Sequence, residues 1–392
     1  MTDIFYPIFP RVLGKRDEFF VLDGGFSTQC VSHVSAESFT GRAHWTSELI
    51  DENPEAVVET HKDFLSHGSV DLISTNTYQA HCGTIEKAVE LADQAIFETH
   101  AIPRKAGIVG SLGPYAAFLA SGSEYNGDKS TSYPLSEEEL KTWHKERIRH
   151  MMIGGVDVIA FETIPSIKEA ILILDLIDNT LNAKCWISFQ CKDSKSLAYG
   201  DSYKEAVRSL MCHPAYAKRK LLSIGINCTS PKYISPLLKL AEEVNNKSNF
   251  PDMYGYWRIP YVVYPNRGVY CKKKTCYIED KDDILGGGDN AILKRIHEWM
   301  SLGARIIGGC CGVNAQLIQK IKDQISEHIL DVLDKEEDCQ CHYFVDDEVL
   351  ENSLRKADPK SKSERRNKTN DFTDNLWMIC EMPYKNTGWS ND

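Results

Sequence analysis

Three cysteines are the residues of this chain best placed to do chemistry. Cys310 and Cys311 stand side by side in Gly308-Gly309-Cys310-Cys311-Gly312, and Cys228 ends Ile224-Gly225-Ile226-Asn227-Cys228. Neighbouring cysteines reach disulfide geometry only under strain. Two thiolates at one strand end converge more readily on a metal, with the glycines permitting unusual dihedrals and close approach. Cys228 supplies a third thiolate, and three thiolates on zinc leave one position open, as in a catalytic site. A substrate thiol bound there loses its proton near neutral pH and becomes a nucleophile without a separate base. Plain packing of three small residues is one alternative, and a redox disulfide between Cys310 and Cys311 is another.

Two acids accompany the thiols. Asp23, in Leu22-Asp23-Gly24-Gly25-Phe26-Ser27-Thr28-Gln29, puts a carboxylate beside backbone N–H groups. The carboxylate suits an ammonium and the amides a carboxylate, so an amino-acid ligand fits; an ordinary Asp-Gly turn fits too. Glu162, in Phe161-Glu162-Thr163, follows an apolar run. A buried carboxylate needs a partner, either a substrate ammonium or an Arg or Lys elsewhere in the fold.

These residues share one face only if the fold brings them together. Apolar runs at 19–22, 70–74, 107–110, 156–161, 186–189, 222–226, 259–264 and 304–308 read as strands. Between and after them, helical patterns occupy 55–67, 85–100, 137–152, 167–179, 203–211, 235–245, 292–301 and 315–329. Strands separated by helices pair in parallel through right-handed crossovers, and eight such units predict an α/β fold, a (β/α)8 TIM-like barrel. Asp23, Asn76, Glu162, Gln190, Asn227, Cys228, Asn266, Cys310 and Cys311 then all fall at or just past a strand's C-terminal end, where barrels build active sites.

The expected organisation is an N-terminal segment (1–16), the barrel (17–331), and a polar linker with a C-terminal tail (332–392) carrying Trp377, Met378, Ile379, Met382, Tyr384 and Trp389. A net charge of −11 argues against nucleic acid or an anionic membrane as partner. The chain has no apolar run long enough to span a bilayer, and its start lacks the apolar core of a secretory signal. Thirteen cysteines without such a signal imply reduced thiols and a cytoplasmic setting.

From about residue 17 to residue 330 the chain resembles the homocysteine S-methyltransferase family of zinc-dependent (β/α)8 barrels. The resemblance rests on Asp23-Gly24-Gly25-Phe26, Thr75-Asn76-Thr77-Tyr78-Gln79, Phe161-Glu162-Thr163, Gly225-Ile226-Asn227-Cys228 and Gly308-Gly309-Cys310-Cys311-Gly312, in that order. It implies that Cys228, Cys310 and Cys311 hold Zn2+, which binds the sulfur of L-homocysteine, and that Asp23, Gly24 and Glu162 hold its amino-acid end, with Asn227 beside them. Gly110-Ser111-Leu112-Gly113-Pro114-Tyr115 and Gly122-Ser123-Glu124-Tyr125-Asn126-Gly127-Asp128 look like the branch using S-methylmethionine or S-adenosylmethionine. Thr163 stands where the betaine-using branch typically has Tyr. Tyr115, Tyr125 and the acids of that loop suit a sulfonium, through cation–π attraction and charge.

One stretch departs from the pattern. Sulfonium-using relatives commonly carry Tyr-Pro-Asn-Ser-Gly-Glu where this chain has Tyr264-Pro265-Asn266-Arg267-Gly268-Val269. Arg267 is unwelcome beside a sulfonium but could grip a donor carboxylate. The sequence therefore predicts methyl transfer from a sulfonium to L-homocysteine. A catalytically silent zinc- or homocysteine-binding barrel, another donor and a selenol acceptor are the alternatives.

Overall fold

The apolar runs become one eight-stranded parallel sheet in the computed structural model of the protein. Its strands are β1 (Phe20–Val21), β2 (Leu72–Ser74), β3 (Gly107–Leu112), β4 (Val158–Ile164), β5 (Cys185–Phe189), β6 (Leu221–Asn227), β7 (Tyr261–Tyr264) and β8 (Ala304–Ile307). From β2 to β8 each strand pairs with the next, and β8 returns to β1 through Phe20↔Ile306. A parallel bridge between Leu22 and Leu72 joins β1 to β2. The alternation in the sequence thus closes into a (β/α)8 barrel.

The structure describes residues 19–100, 106–127, 135–246, 258–267 and 288–338, plus short strands at Pro251–Asp252, Gly255–Tyr256, Val269–Lys272 and Thr275–Ile278. The N-terminal segment 1–16 and the apolar residues of the tail lie outside them. The chain divides into two units, Met1–Ile329 and Leu330–Asp392, and the barrel lies in the first. Among the described residues no helix is long and apolar enough to cross a membrane.

Local chemistry explains the helices: α1 (Pro54–Ser66), α2 (Cys82–His100), α3 (Glu137–Gly154), α4 (Ile167–Asn179), α5 (Tyr203–Met211), α6 (Pro231–Asn245), α7 (Ile296–Ser301) and α8 (Ala315–Asp338). Asn53 caps α1 with Pro54 in its first turn, Ser136 and Glu139 form a capping box on α3, and Ser166 and Ser202 cap α4 and α5. α6 starts before the expected 235 because Pro231 suits a first helical turn. The helix expected over 292–301 is interrupted at Lys294 and Arg295, where a turn bond from Arg295 N–H to Ile292 O (3.0 Å) breaks the ladder.

Two cores follow from the alternation of strand side chains. Leu22, just past β1, and Leu72, Val109, Ala160, Trp186, Leu222, Val262 and Ile306, one from each of β2 to β8, fill the barrel interior. The opposite faces pack against the helices. On α1, His61 is fully buried against Phe26 (ring centroids 5.2 Å apart), and neither ring nitrogen has a hydrogen-bond partner among the described residues. Burial holds its pKa down at about 3. Below pH 6.5 the unfolded chain's imidazole takes a proton that the folded one refuses until about pH 3, so this residue costs stability as pH falls. Between pH 6.5 and 5 the wild type should lose roughly 1 kcal/mol per pH unit more than His61→Leu, measured by urea unfolding.

Candidate metal centre and its rim

The strand ends meet at the barrel mouth and bring the three cysteines together. β6 ends at Asn227, and Cys228 follows in a left-handed conformation (φ 46°) that turns its side chain inward. Beyond β8, Cys310 N–H donates to Pro265 O (2.8 Å), and Cys228 N–H donates to Tyr264 O (3.2 Å), so both loops hang on the end of β7. The three sulfurs lie within 4.8 Å of one another. Cys311 Sγ is 3.8 Å from Cys228 Sγ and 3.9 Å from Cys310 Sγ. A tetrahedral zinc with bonds of about 2.3 Å sets its sulfurs roughly 3.8 Å apart, so the donor set fits that ion once all three thiols are free. In this structure Cys228 and Cys310 are bonded as a disulfide, with Cα atoms 5.6 Å apart. The sulfur bond therefore joins distant residues and not the adjacent pair weighed in the redox alternative.

The glycine loops hold the cluster by closeness more than by unusual dihedrals. A Cβ on Gly309 would lie 2.2 Å from Val313 Cγ1, and one on Gly24 would lie 2.4 Å from Val313 O. The loop after β1 is laced to the cysteine loop by hydrogen bonds from Gly309 N–H to Asp23 O (3.0 Å), Gly25 N–H to Val313 O (2.8 Å), Gly312 N–H to Thr28 Oγ1 (2.9 Å) and Ala315 N–H to Gln29 Oε1 (3.0 Å). Of the two glycine amides expected to face a ligand carboxylate, that of Gly25 is thus engaged within the protein.

Three acids line the same rim. Asp23 is buried and takes hydrogen bonds from Ser74 N–H (2.7 Å) and Ser74 Oγ (2.9 Å), yet burial still lifts its pKa to about 8. Glu162 accepts from Ser111 Oγ and is hydrogen-bonded to Tyr264; burial outweighs these contacts and raises its pKa. Glu124 is buried, and burial lifts it to about 7. Cys311 rises to about 11, through burial first and then the charges of Glu162 and Glu124. Among the described residues no Arg or Lys pairs with any of the three acids.

The structure moves Glu162 from just past its strand to within it. β4 runs on to Ile164, and its pairing with β5 steps from Phe161↔Ile187 to Ile164↔Phe189, leaving one extra residue on β4. This bulge, with Thr163 at φ 61°, re-aims the side chains at the mouth. Asn227, expected beside the substrate, is fully buried and holds that bulge. Its Oδ1 accepts from Thr163 N–H (2.7 Å) and Ser188 Oγ (2.9 Å), and its Nδ2 donates to Thr163 Oγ1 (2.8 Å). It positions the site instead of facing it.

Other expected site residues separate in the same way. Tyr125 belongs to the centre, with its hydroxyl 3.8 Å from Cys228 Sγ. Tyr115 packs with Trp143 and Phe118 (ring centroids 5.1 and 6.1 Å) and gives its N–H to Glu169 (3.0 Å), contacts that place it in an aromatic cluster. Asn76 Nδ2 donates to Thr46 O (2.9 Å), a scaffold bond. Buried Arg147 on α3 ties Gly113 O (2.9 Å) to Thr77 O and Tyr78 O (both 3.0 Å), fixing the loops after β2 and β3 together. Sequence reasoning did not single out Ser74, Ser111, Ser188 or Tyr264 as partners of the site; polar interruptions near the ends of apolar strands are the signal that marks them.

Arg267 does not reach for a ligand. Its guanidinium pairs with Asp289 (2.6 Å) and is 46% exposed, while its N–H donates to Cys311 O (2.9 Å). Arg267→Ser keeps that backbone bond, so it should shift stability by under about 1 kcal/mol and leave the donor KM unmoved in initial-rate assays.

Comparison with known proteins agrees with this geometry. A family model described as homocysteine S-methyltransferase matches residues 20–325. The betaine-homocysteine S-methyltransferase of Drosophila melanogaster is 39% identical over 317 residues, 74% of this chain and 89% of that protein. The selenocysteine Se-methyltransferase of Brassica oleracea var. italica is 30% identical over 352 residues, 83% of this chain and 93% of that protein. Among solved structures, the metallated form of the homocysteine methyltransferase MmuM from Escherichia coli matches with a TM-score of 0.63 at 26% identity, over 81% of this chain and 99% of that one. By the match over residues 20–325 and by its barrel, the chain belongs to the homocysteine S-methyltransferase family of methyl-transferring enzymes.

Proposed function

We propose that the protein transfers a methyl group from a sulfonium donor, S-methylmethionine or S-adenosylmethionine, to L-homocysteine, giving methionine, with zinc held by Cys228, Cys310 and Cys311. The observation that carries this reading is the gathering of three thiols with two buried acids, Asp23 and Glu124, and the half-buried Glu162, with no Arg or Lys paired to those acids among the described residues. Such a rim is built for cations: a metal, a substrate ammonium and a positively charged donor.

When bound, zinc would supply Lewis acidity that keeps the acceptor sulfur a thiolate at neutral pH. The protein does the rest by placement. Asp23 and Glu162 would hold the acceptor ammonium, whose charge favours their ionised forms, and the Gly24 amide would hold its carboxylate. The thiolate sulfur forms a bond to the methyl carbon while the donor's C–S bond breaks and its electron pair returns to the donor sulfur. Positive and negative charge vanish together, so a dry barrel mouth lowers the barrier. The three thiols must be reduced to take metal, which favours a cytoplasmic setting. All of this chemistry belongs to the barrel, 17–331, with 1–16 and 332–392 outside it.

The name of the Drosophila relative favours a second reading for the donor, betaine, and that of the Brassica relative favours a selenol as a further acceptor. The metal reading is tested by reducing the protein, loading it with cobalt(II) and adding homocysteine. One equivalent of metal and a new thiolate-to-cobalt absorption band support it. Reduced protein that takes up no metal would sink it.

A further inference from the structure

The rim contains an acid that the fold leaves incomplete. Glu124 lies in a short helix, Ser123–Asn126, between Gly122 (φ 70°) and Gly127 (φ 74°). A Cβ at Gly127 would sit 2.7 Å from Ala198 O, so this segment is pressed onto the loop that follows β5. The glutamate is only 3% exposed, and its Oε2 has no hydrogen-bond partner among the described residues. Among those residues its carboxylate meets only its own backbone N–H, whereas Asp23 is hydrogen-bonded by Ser74, and Glu162 by Ser111 and Tyr264. A carboxylate oxygen buried without a partner opposes folding, so one that persists beside a centre calls for a ligand that completes it.

Its place says which ligand. The adjacent Tyr125 points its hydroxyl at Cys228 Sγ (3.8 Å), so the short helix that carries Glu124 lies against the thiols. The acid thus stands one residue from a side chain that reaches the thiols. An ammonium carries N–H donors and suits acids set among hydrogen-bonding groups. An onium centre, sulfonium or quaternary ammonium, has none, and is served by a bare carboxylate and aromatic faces.

We propose that Glu124 is the counter-ion of the donor's onium centre, holding the positive atom beside Tyr125 with its methyl turned toward the acceptor sulfur. This deepens the functional reading above and rests on it. The attraction disappears when the methyl leaves, because the donor becomes neutral, so Glu124 also separates donor from spent product.

The test is titration calorimetry on zinc-loaded protein without homocysteine, using S-methylmethionine, its uncharged thioether methionine, and betaine. S-Methylmethionine and methionine share the amino-acid end and differ at the sulfur. Wild type should prefer the sulfonium, and E124Q should cut that preference at least tenfold with zinc content unchanged. If betaine is the onium that wild type binds and E124Q releases, the assignment holds with nitrogen as the source of charge. A preference unmoved by E124Q, or equal weakening of S-methylmethionine and methionine, overturns the role of Glu124 alone. Wild type that binds neither onium, nor S-adenosylmethionine titrated in the same way, overturns the donor reading and this assignment with it.

Discussion

Cys310→Ala should yield a folded barrel that holds no zinc after dialysis and makes methionine at least roughly a thousandfold more slowly than wild type. The sulfur geometry makes the loss steep. Cys311 stands 3.8 and 3.9 Å from the other two sulfurs, near the spacing a single tetrahedral ion requires, so no thiol of the trio is spare. With two thiolates the site would bind metal weakly and would no longer fix where the fourth position points. Cys310 is only partly buried and its backbone carries the bond to Pro265 O, which alanine keeps, so the fold should survive. Cys82→Ser, at a partly exposed thiol on α2, is the control that should retain metal and turnover. Metal analysis with circular dichroism separates loss of zinc from loss of fold. A Cys310→Ala protein with full zinc and full rate would refute the assignment of the ligands.

Asn227→Ala is the second change with a large expected effect, and it acts through position. The residue makes three hydrogen bonds from a fully buried amide, two of them to Thr163. Thr163 (φ 61°) and Cys228 (φ 46°) both sit where non-glycine residues are strained, at a cost of order 1 kcal/mol each. Asn227 pays for that strain through its hydrogen bonds to the bulge. Alanine would orphan the buried Thr163 N–H and release the bulge that aims Glu162. We expect a destabilisation of about 2–4 kcal/mol and a higher KM for homocysteine, because the acid that would meet its ammonium loses its bearing. Asn227→Asp keeps the acceptor oxygen but gives up the donation to Thr163 Oγ1, and should fall between. Urea unfolding and initial rates check both. An alanine variant as stable as wild type, with the same KM, would show that the network carries nothing.

The sequence shows the barrel plainly, because apolar runs of strand length alternate with amphipathic helices and leave few topologies open. The convergence of Asp23, Cys228, Cys310 and Cys311 is legible for the same reason, since strand order puts their loops on one face. Register is not legible. A single extra residue in β4 turns Glu162 from a strand-end acid into a bulge acid, and no periodicity reports it. Pairings between distant loops are equally silent: Arg267 looks like a ligand for a donor carboxylate until its ion pair with Asp289 is seen. Glu124 reads as one acid of a polar loop, and only its burial and unpartnered oxygen set it apart. Asn227 shows the converse, a motif residue whose contacts are structural.

The central claim is methyl transfer to homocysteine at a thiol-held zinc. It is tested most directly by incubating reduced, zinc-loaded protein with homocysteine and methyl-labelled S-methylmethionine, S-adenosylmethionine or betaine in parallel, and following label into methionine. The account predicts labelled methionine from a sulfonium donor, stopped by chelation and restored by zinc. No label in methionine from any of the three, in protein shown to carry its zinc, would contradict it.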